Sequence, residues 1–243
     1  PNWLIPRVVE HMQYLDQKSR KSVRSLFSSL FDLASNLNLF AALGSVCIYY
    51  TACFLQGLPF SPSGAIIGFL YFFSMYMWNG LASTESMVHL GMSRHRFYNS
   101  HRLLLFIVAG VAAAFMLGYA FLSSVALFYL MLFATLAGMF YHITIVPFFL
   151  RSIFRYKSLK DFPTSRDLFV ALAWALVLTG IPQVIEESLS LSLRAGLCFA
   201  WIFILAYLRS LFFDLKDIEG DRIMGRETLV TIIGEKNVRK GIA

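Results

Sequence analysis

Three aspartates near the end of the chain have a spacing that could support metal chemistry. They lie in the stretch FFDLKDIEGDRIMGRETL, where Asp217 and Asp221 are four residues apart and Asp214 precedes them by three. This spacing places carboxylates on one helical face, where like charges repel unless a cation offsets them. Lys216 and Arg222 could do so as surface ion pairs, and Mg²⁺ could do so through carboxylate oxygens. The spacing is therefore compatible with a solvated acidic loop and with a metal site.

A second polar stretch, RSIFRYKSLKDF, supplies the opposite charge. It contains Arg151, Arg155, Lys157 and Lys160, and Tyr156 lies four residues before Lys160, on the same face of a helix. Cations grouped with a phenol can bind a diphosphate. The same residues are also typical of basic loops on the inner side of a membrane. Together, an acidic and a basic loop on one membrane face suggest a site for Mg²⁺ and a diphosphate.

The elements that must position these loops are long and apolar. Of the 243 residues, 58% are hydrophobic and 14% are charged, and a soluble domain would be nearer a quarter charged. Most of the apolar segments approach the ~20 residues that a helix needs to cross a bilayer, where the backbone must satisfy its own hydrogen bonds. The sequence therefore predicts an all-α polytopic membrane protein with six helices, at about Leu33–Leu58, Leu58–Trp78, Leu103–Leu122, Val125–Leu150, Leu168–Ile185 and Ala195–Phe213.

The basic residues predict the orientation of these helices. Five of the 21 Lys and Arg precede the first helix, three lie between helices two and three, five between helices four and five, and six after helix six. Arg209 lies at the same end of helix six, and only Arg194 falls on the opposite side. By the positive-inside rule, the N-terminus and these loops are cytoplasmic in an inner-membrane protein. The net charge of +7 then reflects topology and contact with anionic lipid, and it does not indicate nucleic acid.

The chain is predicted to have two parts. Residues 1–30 form an amphipathic cytoplasmic segment along the inner membrane face, and residues 31–243 form the transmembrane domain.

Several stretches resemble the UbiA superfamily of intramembrane prenyltransferases. The stretch DLKDIEGDRIMGRETL, continuing to Ile232–Gly234, is similar to the second aspartate-rich motif of that family. The stretch YKSLK, Tyr156–Lys160, matches its Tyr-x-x-x-Lys motif, and the Ala-Trp of Ala173–Leu176 lies where such proteins have one in helix five. The hydrophobic segments also follow the family order, so the resemblance spans roughly Leu30 to Ala243.

The resemblance implies a UbiA-type helix bundle that binds an isoprenoid diphosphate or lipid and transfers the prenyl group to an aromatic or lipid acceptor. It assigns catalytic roles to Asp217, Asp221 and Lys160. The implied Mg²⁺ ligands are Asp214, Asp217 and Asp221, and the implied substrate-binding residues are Asn79, Tyr156, Lys160, Arg209 and Arg102.

The first acidic motif departs from the family pattern Asn-Asp-x-x-Asp-x-x-x-Asp. The stretch NGLASTESM keeps Asn79, but Gly80, Ser83 and Met87 stand where acids are expected. The acid that is present, Glu85, falls off that helical face. We therefore expect one Mg²⁺ site, at the second motif, and at most slow conventional transfer.

Two substitutes for the missing acids stay open. Glu85 and His89 are four residues apart and could bind a transition metal. The basic stretch that contains Arg94, Arg96 and Arg102 could neutralise a diphosphate without a metal.

Two other functions compete with an ordinary transferase. One is a non-catalytic lipid- or quinone-binding membrane subunit of a larger complex, with membrane protein partners. The other is a different transfer reaction on a polyprenyl phosphate, such as phosphoribosyl transfer. The family usually has nine helices and six are counted here, so either three helices follow residue 243 or the protein is a six-helix version. We expect the former.

Overall fold

A computed structural model describes residues 27–82, 93–140, 165–188 and 192–216, together with Gly234 and Val238. The chain divides after Phe40 into two compact units, Pro1–Phe40 and Ala41–Ala243. The helices, numbered in chain order, are α1 (27–36), α2 (Leu39–Gln56), α3 (Pro62–Ala82), α4 (Ser93–Ser100), α5 (Arg102–Ser123), α6 (Val125–Phe140), α7 (Ser165–Ile185) and α8 (Leu193–Lys216).

Helix α1 lies in the first unit and ends at a turn. The Leu37 amide donates to Leu33, and Asn38 has a φ of 55°. Asparagine tolerates this left-handed conformation better than most residues, so it stops the helix here. The rings of Phe31 and Phe40 lie 5.2 Å apart within this unit. The prediction of an amphipathic segment over residues 1–30 falls largely outside the described residues.

Among the described residues, five helices are long and apolar enough to cross a membrane: α2, α3, α5, α7 from Asp167, and α8 to Leu215. Helix α6 is apolar but shorter in its described part, because residues 141–150 of the predicted fourth segment lie outside the described residues. Large apolar side chains face outward, such as Leu122, which is 83% exposed. Such faces suit lipid. The predicted helical membrane bundle is therefore confirmed.

Helices α7 and α8 pack as an antiparallel pair. Asp167, at the start of α7, is hydrogen-bonded by Ser210 near the end of α8. Farther along the pair, Thr179 Oγ1 lies 3.8 Å from the sulfur of Cys198. Helix α3 completes this part of the core, since the ring of Phe72 stacks on Trp174 of α7 at 4.1 Å.

The two ends of the second unit differ in character. At one end, Gln56 of α2 donates to the Thr179 carbonyl at 3.4 Å and accepts from Gln183 Nε2 at 2.7 Å. These amides tie α2 to α7. The opposite end is where α3 and α8 finish and α5 and α7 begin, and we call it the motif end. Polar residues at this end include Asn79, Arg102, Asp167 and Asp214.

Candidate functional site

At the motif end, three helices bring a cation against aromatic rings. Arg209 of α8 donates to the Tyr76 hydroxyl of α3 at 2.9 Å, and Trp174 Nε1 of α7 donates to the same oxygen at 3.2 Å. The Arg209 guanidinium lies 5.8 Å from the ring centroids of Tyr76 and Trp174 and 5.2 Å from that of Phe213. These distances are within the range of cation–π attraction. The arrangement holds an exposed guanidinium at a fixed place beside the bundle interior.

Helical spacing explains why these rings meet. Phe72 and Tyr76 are four residues apart and project from one face of α3 toward α7. Trp174 contacts both, stacking on Phe72 at 4.1 Å and meeting Tyr76 edge-on at 6.5 Å. The indole is 4% exposed and the Phe72 ring 2%. Below the arginine the site is therefore a packed aromatic wall.

Two buried carboxylates lie along the seam between α7 and α8. Asp167 and Asp214 are each 1% exposed, and Asp167 accepts from Ser210, which precedes Asp214 by one turn. The sequence places Asp214 in the loop after the last apolar segment, whereas in the structure α8 continues to Lys216. Asp214 is thus a helical, buried residue that leads directly into the acidic stretch.

At the end of α3, Gly80 packs against an aromatic ring. A Cβ atom on Gly80 would lie 2.5 Å from the ring of Tyr98 and 2.8 Å from its hydroxyl. Tyr98, from α4, is 2% exposed, so its ring occupies the space that a side chain at position 80 would need. Asn79, next to it, is half-buried. The position next to Asn79 is therefore filled by a phenol from another helix, with no room for a carboxylate side chain.

The structure describes four of the predicted site residues. Arg209 and Asp214 lie near one another on α8, Asn79 lies at the end of α3, and Arg102 is exposed at the start of α5. The remaining predicted residues are outside the described residues: Tyr156, Lys160, Asp217 and Asp221. The same is true of Glu85 and His89.

Sequence reasoning missed several residues of this site. Tyr76 and Asp167 belong to none of the motifs in the sequence, and Trp174 lies in the Ala-Trp stretch but was given no role in binding. An acid in the first turn of a helix, such as Asp167, is usual because it complements the helix dipole. Tyr76 offered one signal, since it precedes Asn79 by three residues and so falls on a neighbouring part of the same helix surface.

The described residues fit a metal only in part. Within the described ranges, no three His, Cys, Asp or Glu side chains form a group that could hold a metal ion. Asp214 offers one carboxylate at the place where the acidic stretch begins. A Mg²⁺ site at this end thus depends on Asp217 and Asp221, and the described end of α3 adds no acid to it.

These features define a polytopic α-helical membrane protein with a polar site at one end of its helices. The model of the UbiA prenyltransferase family matches residues 92–243, well over half of the chain, and the chain belongs to this family. The match begins after the stretch NGLASTESM, so it contains the second acidic motif and excludes the altered first one. The resemblance seen in the sequence is confirmed.

Solved structures agree with this assignment at the level of the fold. A UbiA homolog from Archaeoglobus fulgidus bound to GPP and Mg²⁺ is similar with a TM-score of 0.57 and 16% identity, over 85% of this chain and 72% of that one. The same homolog bound to DMAPP and Mg²⁺ gives a TM-score of 0.53 and 14% identity over the same shares. No curated protein matches the chain.

Proposed function

We propose that this protein binds an isoprenoid diphosphate at the motif end. The observation that carries the proposal is Arg209, a cation held by aromatic rings one turn before the buried Asp214 and the acidic stretch. An anionic headgroup would meet the arginine, and an apolar chain would lie against the exposed ring of Phe213 beside it. The archaeal UbiA homolog with GPP or DMAPP and Mg²⁺ supports this choice of ligand class.

The headgroup is proposed to be held by both loops. Lys160 and Tyr156 would bind diphosphate oxygens, with Asn79 and Arg102 at the other side of the group. Asp214, Asp217 and Asp221 would hold one Mg²⁺, which when bound offsets negative charge on the leaving diphosphate. The buried rings at the motif end would exclude water from an allylic cation. The basic loops support a cytoplasmic location for this end and for residues 1–30.

Conventional prenyl transfer to an aromatic or lipid acceptor is expected to be slow. One side of the proposed site supplies three aspartates, while the end of α3 supplies Asn79 and a glycine covered by Tyr98. Losing metal binding on one side would remove on the order of several kcal/mol of charge stabilisation from the leaving group. Each ~1.4 kcal/mol is a factor of ten in rate, so turnover well below ~1 s⁻¹ is expected.

A second function also has an observation in its favour. The packing of Tyr98 on Gly80 fills space next to Asn79, as expected in a protein that binds an isoprenoid lipid or quinone without converting it. Such a protein would work as a membrane subunit of a larger complex. Measurable transfer by the purified chain would exclude this second function.

The proposed function is tested by binding and turnover in the same preparation. Full-length protein in lipid nanodiscs is titrated with geranyl diphosphate, once with Mg²⁺ and once with a chelator. Binding that is stronger with Mg²⁺ supports the proposal, and equal binding in both conditions shows that the metal assignment is wrong. Absence of binding in both conditions contradicts the proposed ligand class. Turnover at ~1 s⁻¹ or faster would contradict the expectation of slow transfer and indicate that the Arg94–Arg102 stretch, or Glu85 with His89, replaces the missing acids.

A further inference from the structure

The hydroxyl of Tyr76 has a set of hydrogen-bond partners that points to a ligand. Trp174 Nε1 lies 3.2 Å from this oxygen and an Arg209 nitrogen lies 2.9 Å from it. Indole and guanidinium N–H groups can donate but cannot accept, so the phenol oxygen accepts both hydrogen bonds. The phenol proton is left to donate, and among the described residues no acceptor lies within reach of it. Tyr76 is half-buried, which leaves part of the residue open to an incoming group.

Arg209 has a matching surplus of positive charge. Its neighbours are one hydroxyl and three aromatic rings, and in the described part of the chain it forms no ion pair with a carboxylate. Two carboxylates among the described residues, Asp167 and Asp214, lie along the α7–α8 seam, where Asp167 accepts from Ser210. A guanidinium has five N–H groups in a planar fork that suits phosphate oxygens. One of these groups is used by Tyr76, which leaves donors for an anion.

We infer that Tyr76 is a ligand-binding residue that forms an anion clamp with Arg209. In this clamp the phenol proton and the free guanidinium N–H groups donate to oxygens of a diphosphate. Trp174 contributes because its N–H donates to the phenol oxygen, which leaves the hydroxyl proton to be donated to the ligand. The inference deepens the proposed function and rests on it. The recognised chemistry is the diphosphate group itself, whether an isoprenoid carries it or it is the free inorganic ion.

The first experiment removes the hydroxyl and keeps the ring. Tyr76→Phe and the wild type are titrated with geranyl diphosphate and with inorganic diphosphate, both with Mg²⁺. A hydrogen bond to a charged group is worth enough that its loss should weaken binding by about tenfold or more. Because the contact is to the diphosphate, both ligands should lose affinity by a similar factor. Loss for geranyl diphosphate alone would overturn the inference, since it would place the contact on the chain.

The matched control is Tyr71→Phe. Tyr71 lies on the same helix, is 2% exposed, and donates to the Ala134 carbonyl at 3.3 Å. This variant also deletes one buried phenol oxygen, so it reports the cost of that change to the fold. Its affinity for both ligands should equal that of the wild type. Equal losses in the two variants would overturn the inference, because the effect would then be a general loosening of α3.

A second pair of variants separates direct contact from positioning. If Tyr76 acts only by holding Arg209, then Tyr76→Phe should have no further effect once Arg209→Gln has removed the cation. Direct donation predicts that Tyr76→Phe weakens diphosphate binding by a further several-fold in the Arg209→Gln background, because the phenol proton still donates to the ligand. If Tyr76→Phe does not change ligand affinity in that background, the inference is overturned while the proposed function stays intact. Absence of binding by the wild type would overturn both.

Discussion

At the scale of single residues, position 80 decides what can lie at the end of α3. A Cβ there would be 2.5 Å from the Tyr98 ring, and the other contacts are similarly short. Gly80→Ala should therefore force the ring or α4 to shift and lower the free energy of unfolding by about 1–3 kcal/mol, as overpacking typically does. Unfolding of the purified protein, followed by helical circular dichroism during titration with denaturing detergent, measures this change.

The control for that prediction is Gly110→Ala. Gly110 is an exposed residue of α5, and nothing is within 4 Å of its Cβ position. Alanine is the better helix former by up to about 1 kcal/mol, so this variant should be as stable as the wild type or slightly more stable. Equal destabilisation by the two alanines would contradict the packing of Tyr98 on Gly80.

A second prediction at this scale concerns the acidic stretch. Asp217→Asn and Asp221→Asn each remove one charged hard ligand while keeping side-chain size, so each should weaken the Mg²⁺-dependent part of geranyl diphosphate binding. Calorimetric titration with and without chelator measures that part. Glu187→Gln is the control, because Glu187 is exposed after the end of α7, away from the motif end. An effect of Glu187→Gln as large as that of the aspartate changes would show that net charge, and not metal ligation, is responsible.

At the scale of helices, composition predicted the elements well and their ends less well. The second segment was predicted at Leu58–Trp78, yet α3 spans Pro62–Ala82. Proline suits the first turn of a helix because its missing N–H needs no partner there, and asparagine and glycine at 79 and 80 continue a helix that apolar content alone would end. Polar residues likewise continue α8 beyond the end predicted at Phe213, through Asp214 to Lys216. Hydropathy marks the lipid-facing length of a helix, while hydrogen bonding and packing set its ends.

These shifted ends explain why part of the site could be predicted and part could not. Arg209 and Asp214 were identified because their spacing to the acidic motif is visible in the chain. The partners Tyr76, Trp174 and Ser210 come from contacts between residues 35 to 133 positions apart, from Trp174 with Arg209 to Tyr76 with Arg209. A single sequence does not reveal which aromatic residue of a membrane helix faces a neighbour, because both lipid-facing and buried positions favour apolar rings.

One prediction at the scale of elements concerns the amides opposite the motif end. Gln56 donates to Ala52 and Thr179 carbonyls and accepts from Gln183, so it joins α2 to α7. Gln56→Ala should lower the free energy of unfolding by about 0.5–2 kcal/mol, the usual size of a hydrogen bond between membrane helices. Detergent-induced unfolding measures the loss, and binding of geranyl diphosphate should stay unchanged.

The control is Thr51→Ala, since the Thr51 hydroxyl donates only within its own helix, to the Cys47 carbonyl at 3.0 Å. A loss of ligand affinity in Gln56→Ala would show that the two ends are coupled.

At the scale of the whole molecule, the helix ends and the basic residues make the same prediction. The described ends of α3 and α8 and the starts of α5 and α7 lie at the motif end, and the loops with most Lys and Arg connect there. Since cytoplasmic loops retain such residues, the motif end should face the cytoplasm. A charged diphosphate in the cytoplasm would then reach the site without crossing lipid.

This orientation is tested by cysteine labelling in intact cells. The native cysteines Cys47, Cys53 and Cys198 are first replaced by alanine, and single cysteines are introduced as Ser158→Cys in the basic loop and Ser124→Cys in the turn between α5 and α6. An impermeant maleimide should label position 124 from outside and position 158 only after the membrane is opened, because the distribution of basic residues predicts that the two positions are on opposite faces of the membrane. Labelling of position 158 alone in intact cells would invert the topology and place the proposed diphosphate site outside.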